Sequence, residues 1–174
     1  LIPDANITFG GSGSRRTVQL TPAPNAFGSA IITLTARNRQ GTSGQTSLSL
    51  RVIPVNDSPS ISAPDPQIIT AGTSTADLPF TVSDAETPAS QLVVSASSSD
   101  TSVIPTGNIA LGGSGANRTV KVTSLAGKTG ASTITLFVRD GEGLTTGNSF
   151  VVTVQTGSSG GSNTPPTISP VAEQ

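Results

Sequence analysis

The chain has no cysteine, histidine, tryptophan, tyrosine or methionine. Without cysteine there is no disulfide, no zinc-thiolate site and no thiol nucleophile. Without histidine no imidazole can act as a base near neutral pH. The absence of Trp and Tyr removes the usual platforms for stacking sugars or bases, and the five Phe are read as core residues. Charge is sparse: nine Lys and Arg face ten Asp and Glu, a net charge of −1, which carries no footprint of nucleic-acid binding. Long apolar runs are missing too. None approaches the roughly 18 residues of a membrane-spanning helix, so no membrane insertion is expected. No signal peptide is legible, and a start at Leu1 without Met reads as an internal fragment.

What is present is β-forming. Ser and Thr number 50 of 174 residues, and Gly and Pro add 32. Short apolar runs rich in Val, Ile and Thr are separated by Gly and Pro clusters, and no amphipathic helical stretch of useful length appears. This composition predicts an all-β chain.

Self-comparison is the most informative step. "LIPDANITFGGSGSRRTVQLT" at 1–21 matches "VIPTGNIALGGSGANRTVKVT" at 103–123, an offset of 102 residues that continues without a gap to Val52 and Val154, with 20 identities in 52 positions. "NDSPSIS" at 56–62 resembles "NTPPTIS" at 163–169, now offset by 107, and the "GSSGG" insert at 157–161 accounts for the extra length. The unit is therefore about 100 residues. Residues 1–55 read as the second half of one repeat (strands D to G), 56–162 as a complete repeat ending in a Gly/Ser linker, and 163–174 as the first strand of a third.

A 100-residue unit with about seven short strands has the size of an immunoglobulin-like Greek-key sandwich. In the complete repeat the pattern predicts strand A within 59–70, B at 77–83, C at 91–97, D near 108–111, E at 117–123, F at 131–139 and G at 147–155. "TVKVT" and "STITLFV" alternate apolar with polar, as strands with one face in a core do. Val120, Val122, Ile134, Leu136, Val138, Phe150, Val152 and Val154 form the expected inward set. Val18, Leu20, Ile32, Leu34, Leu48, Leu50 and Val52 fill the matching slots of the first repeat.

"VNDSPSIS" at a repeat junction, "FTVSDAE" about 25 residues on, and "TPAPNAFGSAIITLTARN" before the last strand resemble bacterial cadherin-like and immunoglobulin-like tandem repeats of large surface and secreted proteins. The resemblance covers essentially the whole chain. It implies an extracellular or cell-surface rod, stalk, fibre or adhesin that is not an enzyme, and some members bind calcium at their junctions. The partners so implied are neighbouring repeats and copies of the same protein, with surface glycans or host and matrix proteins in the adhesin case.

Counting strands up and down assigns the loops to poles. The BC, DE and FG loops return to the pole where strand A starts, so "GGSGANR" between D and E is expected where the preceding repeat docks. Asp57 in the linker, Asp84 and Glu86 in "SDAETP", and Asp140 and Glu142 in "RDGEG" place five of the ten carboxylates at that junction. Calcium takes six to eight oxygens, largely carboxylate and carbonyl, from flexible loops, and a D-x-E pair in each of two loops plus a linker Asp suits it. The competing reading is that Asp, Glu and Gly are ordinary turn residues. Asn38 and Gln40 stand where the other repeat has Asp140 and Glu142, a departure from a calcium pattern, and the cadherin linker motif D-x-N-D-N is incomplete.

Residues 1–55 carry five Arg and one Asp, hence +4; residues 56–162 carry four basic and eight acidic residues, hence −4. Opposite signs would favour contact between unlike repeats, against simple drift of solvated charges. Asn6, Asn56 and Asn117 begin N-x-[ST] sequons, each at a turn or strand start where Asn is common anyway. No aromatic wall accompanies the carboxylate pairs, so a hydrolase acid and base are not expected. The first repeat, lacking strands A to C, is expected to present an unpaired edge and an exposed core, with "PPTISPV" of a neighbouring chain as a candidate donor strand. The expected role is mechanical, as spacer, stalk or fibre shaft. The alternatives are an accessory module of a secreted polysaccharide-degrading enzyme and a ligand-binding adhesin module.

Overall fold

Residues 7–52 form two hairpins, β1 (Ile7–Ser12) with β2 (Arg15–Leu20) and β3 (Gly28–Arg37) with β4 (Ser43–Val52). Eight strands follow: β5 (Ser60–Ile61), β6 (Gln67–Thr70), β7 (Leu78–Ser83), β8 (Val93–Ser98), β9 (Ile109–Ser114), β10 (Asn117–Val122), β11 (Gly130–Arg139) and β12 (Thr145–Gln155). The structure is a computed structural model that describes residues 1–157; most of the Gly/Ser insert, the boundary at 162 and the expected strand at 163–174 lie outside the described residues.

The eight later strands make two four-stranded sheets, ordered β5-β7-β10-β9 and β6-β12-β11-β8. This is the expected immunoglobulin-like Greek key, with β7 to β12 at the positions of B to G. Strand A is split. β5 pairs antiparallel with β7 in one sheet, and β6 pairs parallel with β12 in the other. The intervening "SAPDP" explains the switch, because Pro64 and Pro66 cannot donate to a ladder and release the chain from its first sheet.

All eight residues of the expected inward set are buried, Val120, Ile134, Leu136 and Val152 completely. Phe80 and Val82 of β7, Leu92 before β8, and Val103 and Ile104 after it close over them. Burying each such side chain contributes about 1.5–3 kcal/mol. The five Phe do not all join the core. Phe80 and Phe150 are buried, whereas Phe9 is 74% and Phe27 47% exposed and Phe137 is half-buried on the outer face of β11. The reasons are geometric: Phe9 lies in a hairpin with no opposing sheet among the described residues, Phe27 precedes β3 at a position whose counterpart Thr129 is exposed in the sandwich too, and Phe137 points outward in its strand's alternation.

β1 to β4 begin 102 residues before β9 to β12, and the short 3-10 turn at Asp4–Asn6 likewise precedes its counterpart at Thr106–Asn108. Sequence and structure thus repeat in one register. The inward slots of the hairpins, Val18, Leu20, Ile32, Leu34, Leu48, Leu50 and Val52, are all half-buried and none is fully so.

The Gly-rich stretch is a tight turn in both copies. Ser12 pairs with Arg15 around Gly13-Ser14, and Ser114 with Asn117 around Gly115-Ala116. Gly13 and Gly115 have φ of 61° and 57°, as the first central residue of a two-residue type II′ hairpin requires. Gly113, at φ 80°, has a second constraint. A Cβ there would lie 2.5 Å from the Asn117 carbonyl oxygen and 2.8 Å from the Arg118 Cα. Gly113→Val is expected to lower stability by about 1–3 kcal/mol, and Gly115→Ala, which meets open space, by about 1–2 kcal/mol. Denaturant midpoints check both; a Gly113→Val midpoint equal to that of the parent chain would mean that the close approach at Gly113 does not exist.

Candidate functional site

The carboxylates at the β5 end of the sandwich are organised first by their own loops. In the loop after β7, Asp84 Oδ1 accepts the amides of Glu86 at 3.0 Å and Thr87 at 2.6 Å. In the loop after β11, Asp140 Oδ1 accepts the amides of Glu142, Gly143 and Leu144 at 2.9, 2.5 and 2.9 Å. Each leading Asp of a D-x-E sequence therefore ties its loop as an Asx turn. The equivalent turn between β3 and β4 uses the same device without the charge: Asn38 Oδ1 accepts the Thr42 amide at 2.9 Å. What the equivalent positions 38 and 140 both require is an acceptor for backbone amides, and Asn and Asp both supply one.

The linker is fastened to both loops. Asn56 Nδ2 donates to Asp140 Oδ2 at 2.8 Å, and the Asp57 amide donates to Glu86 Oε2 at 3.1 Å. Asp140 is 4% exposed. Its burial pushes the carboxyl pKa up, but the Asn56 amide and the three loop amides outweigh this and hold it below the ordinary value. Two oxygens in this region are buried without a hydrogen-bond partner, Asn56 Oδ1 and Asp84 Oδ2. The Asp57 and Glu142 side chains are exposed. Among the described residues no three Asp, Glu, His or Cys side chains form a group able to hold a metal ion. The structure thus brings Asp140 to Asn56 and Glu86 to the Asp57 backbone, and it joins the two Asp–Glu pairs through the linker.

Arg118 is a member of this pole that the sequence reading missed. Its Nε donates to the Gly115 carbonyl at 2.8 Å, and one terminal nitrogen donates to Ala89 at 3.0 Å and Leu92 at 3.3 Å. The guanidinium fork binds the DE turn to the BC loop and sets both at one end, as the strand count required. The signal was available, since Arg16 and Arg118 recur at one position of the repeat. Two clefts in the described residues bring the turn between β2 and β3, at Asn25, together with the linker at Asp57 and with Asp84 and Glu86 of the BC loop.

No protein-family model matches the chain, and no curated protein matches it. Solved structures do match in fold. A protocadherin gammaB7 EC3-6 cis-dimer structure is 18% identical, with 90% of this chain and 38% of that chain covered and a TM-score of 0.55. Protocadherin gamma B2 extracellular cadherin domains 3–6 are 12% identical over 88% of this chain and 38% of that one, at a TM-score of 0.54. The protocadherin gammaB4 extracellular domain is 16% identical over 86% and 25%, at 0.53. The chain spans well under half the length of each.

The depressed Asp140 pKa gives a signed expectation. Its contribution to stability is fully present above the unfolded carboxyl pKa of about 3.9 and is lost as pH falls through the lower folded value. Asp140→Ala should therefore lower Tm most at neutral pH, and the gap to the parent chain should close as pH falls below about 4. Thermal melts at several pH values check this; a gap that is constant with pH would assign the loss to packing alone.

At these identities the likeness is one of fold, and with the strand order it establishes a cadherin-like and immunoglobulin-like β-sandwich.

Proposed function

We propose that this chain is a segment of tandem β-sandwich repeats and works mechanically, as the spacer or shaft of an extracellular or cell-surface fibre, stalk or adhesin, with no catalysis of its own. In this reading residues 1–55 are strands D to G of one repeat, 56–162 a complete repeat and 163–174 the start of another. The observation that carries it is the common 102-residue offset of sequence and strands. A unit that repeats in tandem touches mainly its neighbours, so its assembly is a rod whose length grows with repeat number. The joint suits that role. Pro54 stiffens the linker, and the bonds from Asn56 and Asp57 to the FG and BC loops fix the direction in which the chain enters the sandwich. Neighbouring repeats and copies of the same chain are the partners, and a ligand-binding adhesin unit remains within the same architecture.

Small-angle scattering tests the rod. A natural array of several repeats should give a maximum dimension that rises in equal steps with repeat number, and Asn56→Ala should broaden the distance distribution at the joint. A compact array whose dimension rises as the cube root of mass would overturn the spacer role.

Calcium is proposed as a ligand of the same pole on one observation, the two buried oxygens without partners at Asn56 and Asp84. Asn56 Oδ1 and Asp84 Oδ2 would supply its first oxygens, and Asp57, Glu86, Asp140 and Glu142, which form no metal-holding group as they stand, would have to draw in to complete the set. A bound cation would neutralise the carboxylates gathered there and stiffen the joint. Saturating calcium to 100 times its Kd should stabilise the fold by about 2.7 kcal/mol, readable as a rise in Tm that Asp84→Asn abolishes. A Tm unmoved by millimolar calcium would remove the ion and leave the spacer role standing.

A further inference from the structure

The sandwich has four sheet edges, and three of them are blunted in ways that discourage pairing with another chain. β5 is two residues long. β6 has four residues and follows Pro64 and Pro66. β9 contains Gly112 and Gly113, the second at φ 80° and so outside extended geometry, and glycine weakens a strand. β8 has no such device. Its six residues, "VVSASS", include no charge, proline or glycine, and β11 is its one neighbour in the sheet. The ladder shows which of its groups are open. Ser99 donates its amide to the Thr133 carbonyl at 3.0 Å. Alternation along an antiparallel pair then turns the main chain of Ser97, Ser95 and Val93 toward β11, where they oppose Thr135, Phe137 and Arg139. The amides and carbonyls of Val94, Ala96 and Ser98 point away from the sheet and have no backbone partner among the described residues.

We propose that the β8 edge pairs antiparallel with the β8 edge of a second copy of this chain, about a two-fold axis at Ala96. Three observations point to that occupant. First, the edge fits itself. With Ala96 opposite the partner's Ala96, Val94 falls opposite the partner's Ser98, and every open amide meets an open carbonyl. A two-fold contact requires such self-complementarity. Second, nothing along the seam repels a copy. The outer-face side chains beside it, Val93, Ser95 and Ser97, are small and uncharged, and Val93, at 63% exposed, gains cover. Third, the charges at the two ends of the edge are unlike. Exposed Arg139 lies beside Val93 at one end, and half-buried Asp100 follows Ser99 at the other. An antiparallel pair sets each Arg139 end against the partner's Asp100 end, whereas a parallel pair would set like charges together. The sheet of four strands then runs on into that of the copy, and two arrays lie side by side with opposite polarity. A seam of about six main-chain bonds is a small contact, so single repeats associate weakly and an array multiplies the effect. The inference goes beyond the spacer role, which needs contact only from end to end, so either can fail alone.

Sedimentation and amide exchange of the chain from micromolar to millimolar concentration test the seam. The Val94, Ala96 and Ser98 amides should exchange about tenfold more slowly or better across that range, in step with a shift of mass from monomer to dimer. Ser95→Lys sets like charges across the seam. Ala96→Pro removes an outward amide and no bond to β11. Each should weaken dimerisation at least about tenfold, with unchanged exchange in β10 and β12 as the internal standard for folding, and Ser95→Lys stands alone if the proline variant fails that standard. A chain that stays monomeric throughout would overturn the proposal, as would Ser95→Lys dimerising like the parent. So would a dimer that leaves these three amides unprotected, because it uses other edges, and full protection at the lowest concentration, because the occupant then lies within the chain.

Discussion

Each sheet among the described residues has one predominantly apolar side, and that side has to meet another sheet. The rest of the molecule follows from this requirement. From β5 to β12 it is met: strand alternation sends Val120, Ile134, Leu136 and Val152 inward, and β7 and β8 close over them. In β1 to β4 the same alternation, in the same register, leaves its apolar side half-exposed. One sequence pattern thus appears in two states, covered and uncovered, and the difference between them is the contribution of β5 to β8. The polar pole is secondary in this sense, because its loops have a fixed place only once the two sheets have met.

Much of this was legible in the residues. Period-two alternation gave the strands to within a few positions, and the recurrence of "GGSG" gave the hairpin turn, since only a residue free to take positive φ fits its first central position. Three things were not legible, each for a physical reason. The split of strand A depends on which sheet each half joins, and local pattern cannot decide that. The fate of Phe9 depends on an opposing layer, which propensity does not report. The Arg118 bonds join residues nearly 30 positions apart, and a lone Arg in a strand carries no mark of its partners.

The carboxylates show how one residue type can satisfy two demands. Asp84 and Asp140 each spend one oxygen on their own loop amides, a use that spacing alone cannot tell from metal ligation. Asn38 separates the two demands, because it keeps the loop bond without the charge. What distinguishes Asp140 from Asn38 is therefore its second oxygen, and Asp84 carries a second oxygen as well. At Asp140 it fixes the linker, and at Asp84 it stands unpaired.

The parallel pairing of β6 with β12 has a consequence for load. β6 follows closely on the linker that enters the sandwich, and β12 is the last described strand. A pull that separates the two ends of the unit draws these strands in opposite directions along their common axis. The hydrogen bonds from Gln67–Thr70 to Val152–Gln155 then bear the force side by side, in shear, and must fail together. An antiparallel pair loaded at one end would open one bond at a time. The switch of strand A from one sheet to the other, which the prolines permit, is what puts the entering and leaving ends of the chain in this arrangement.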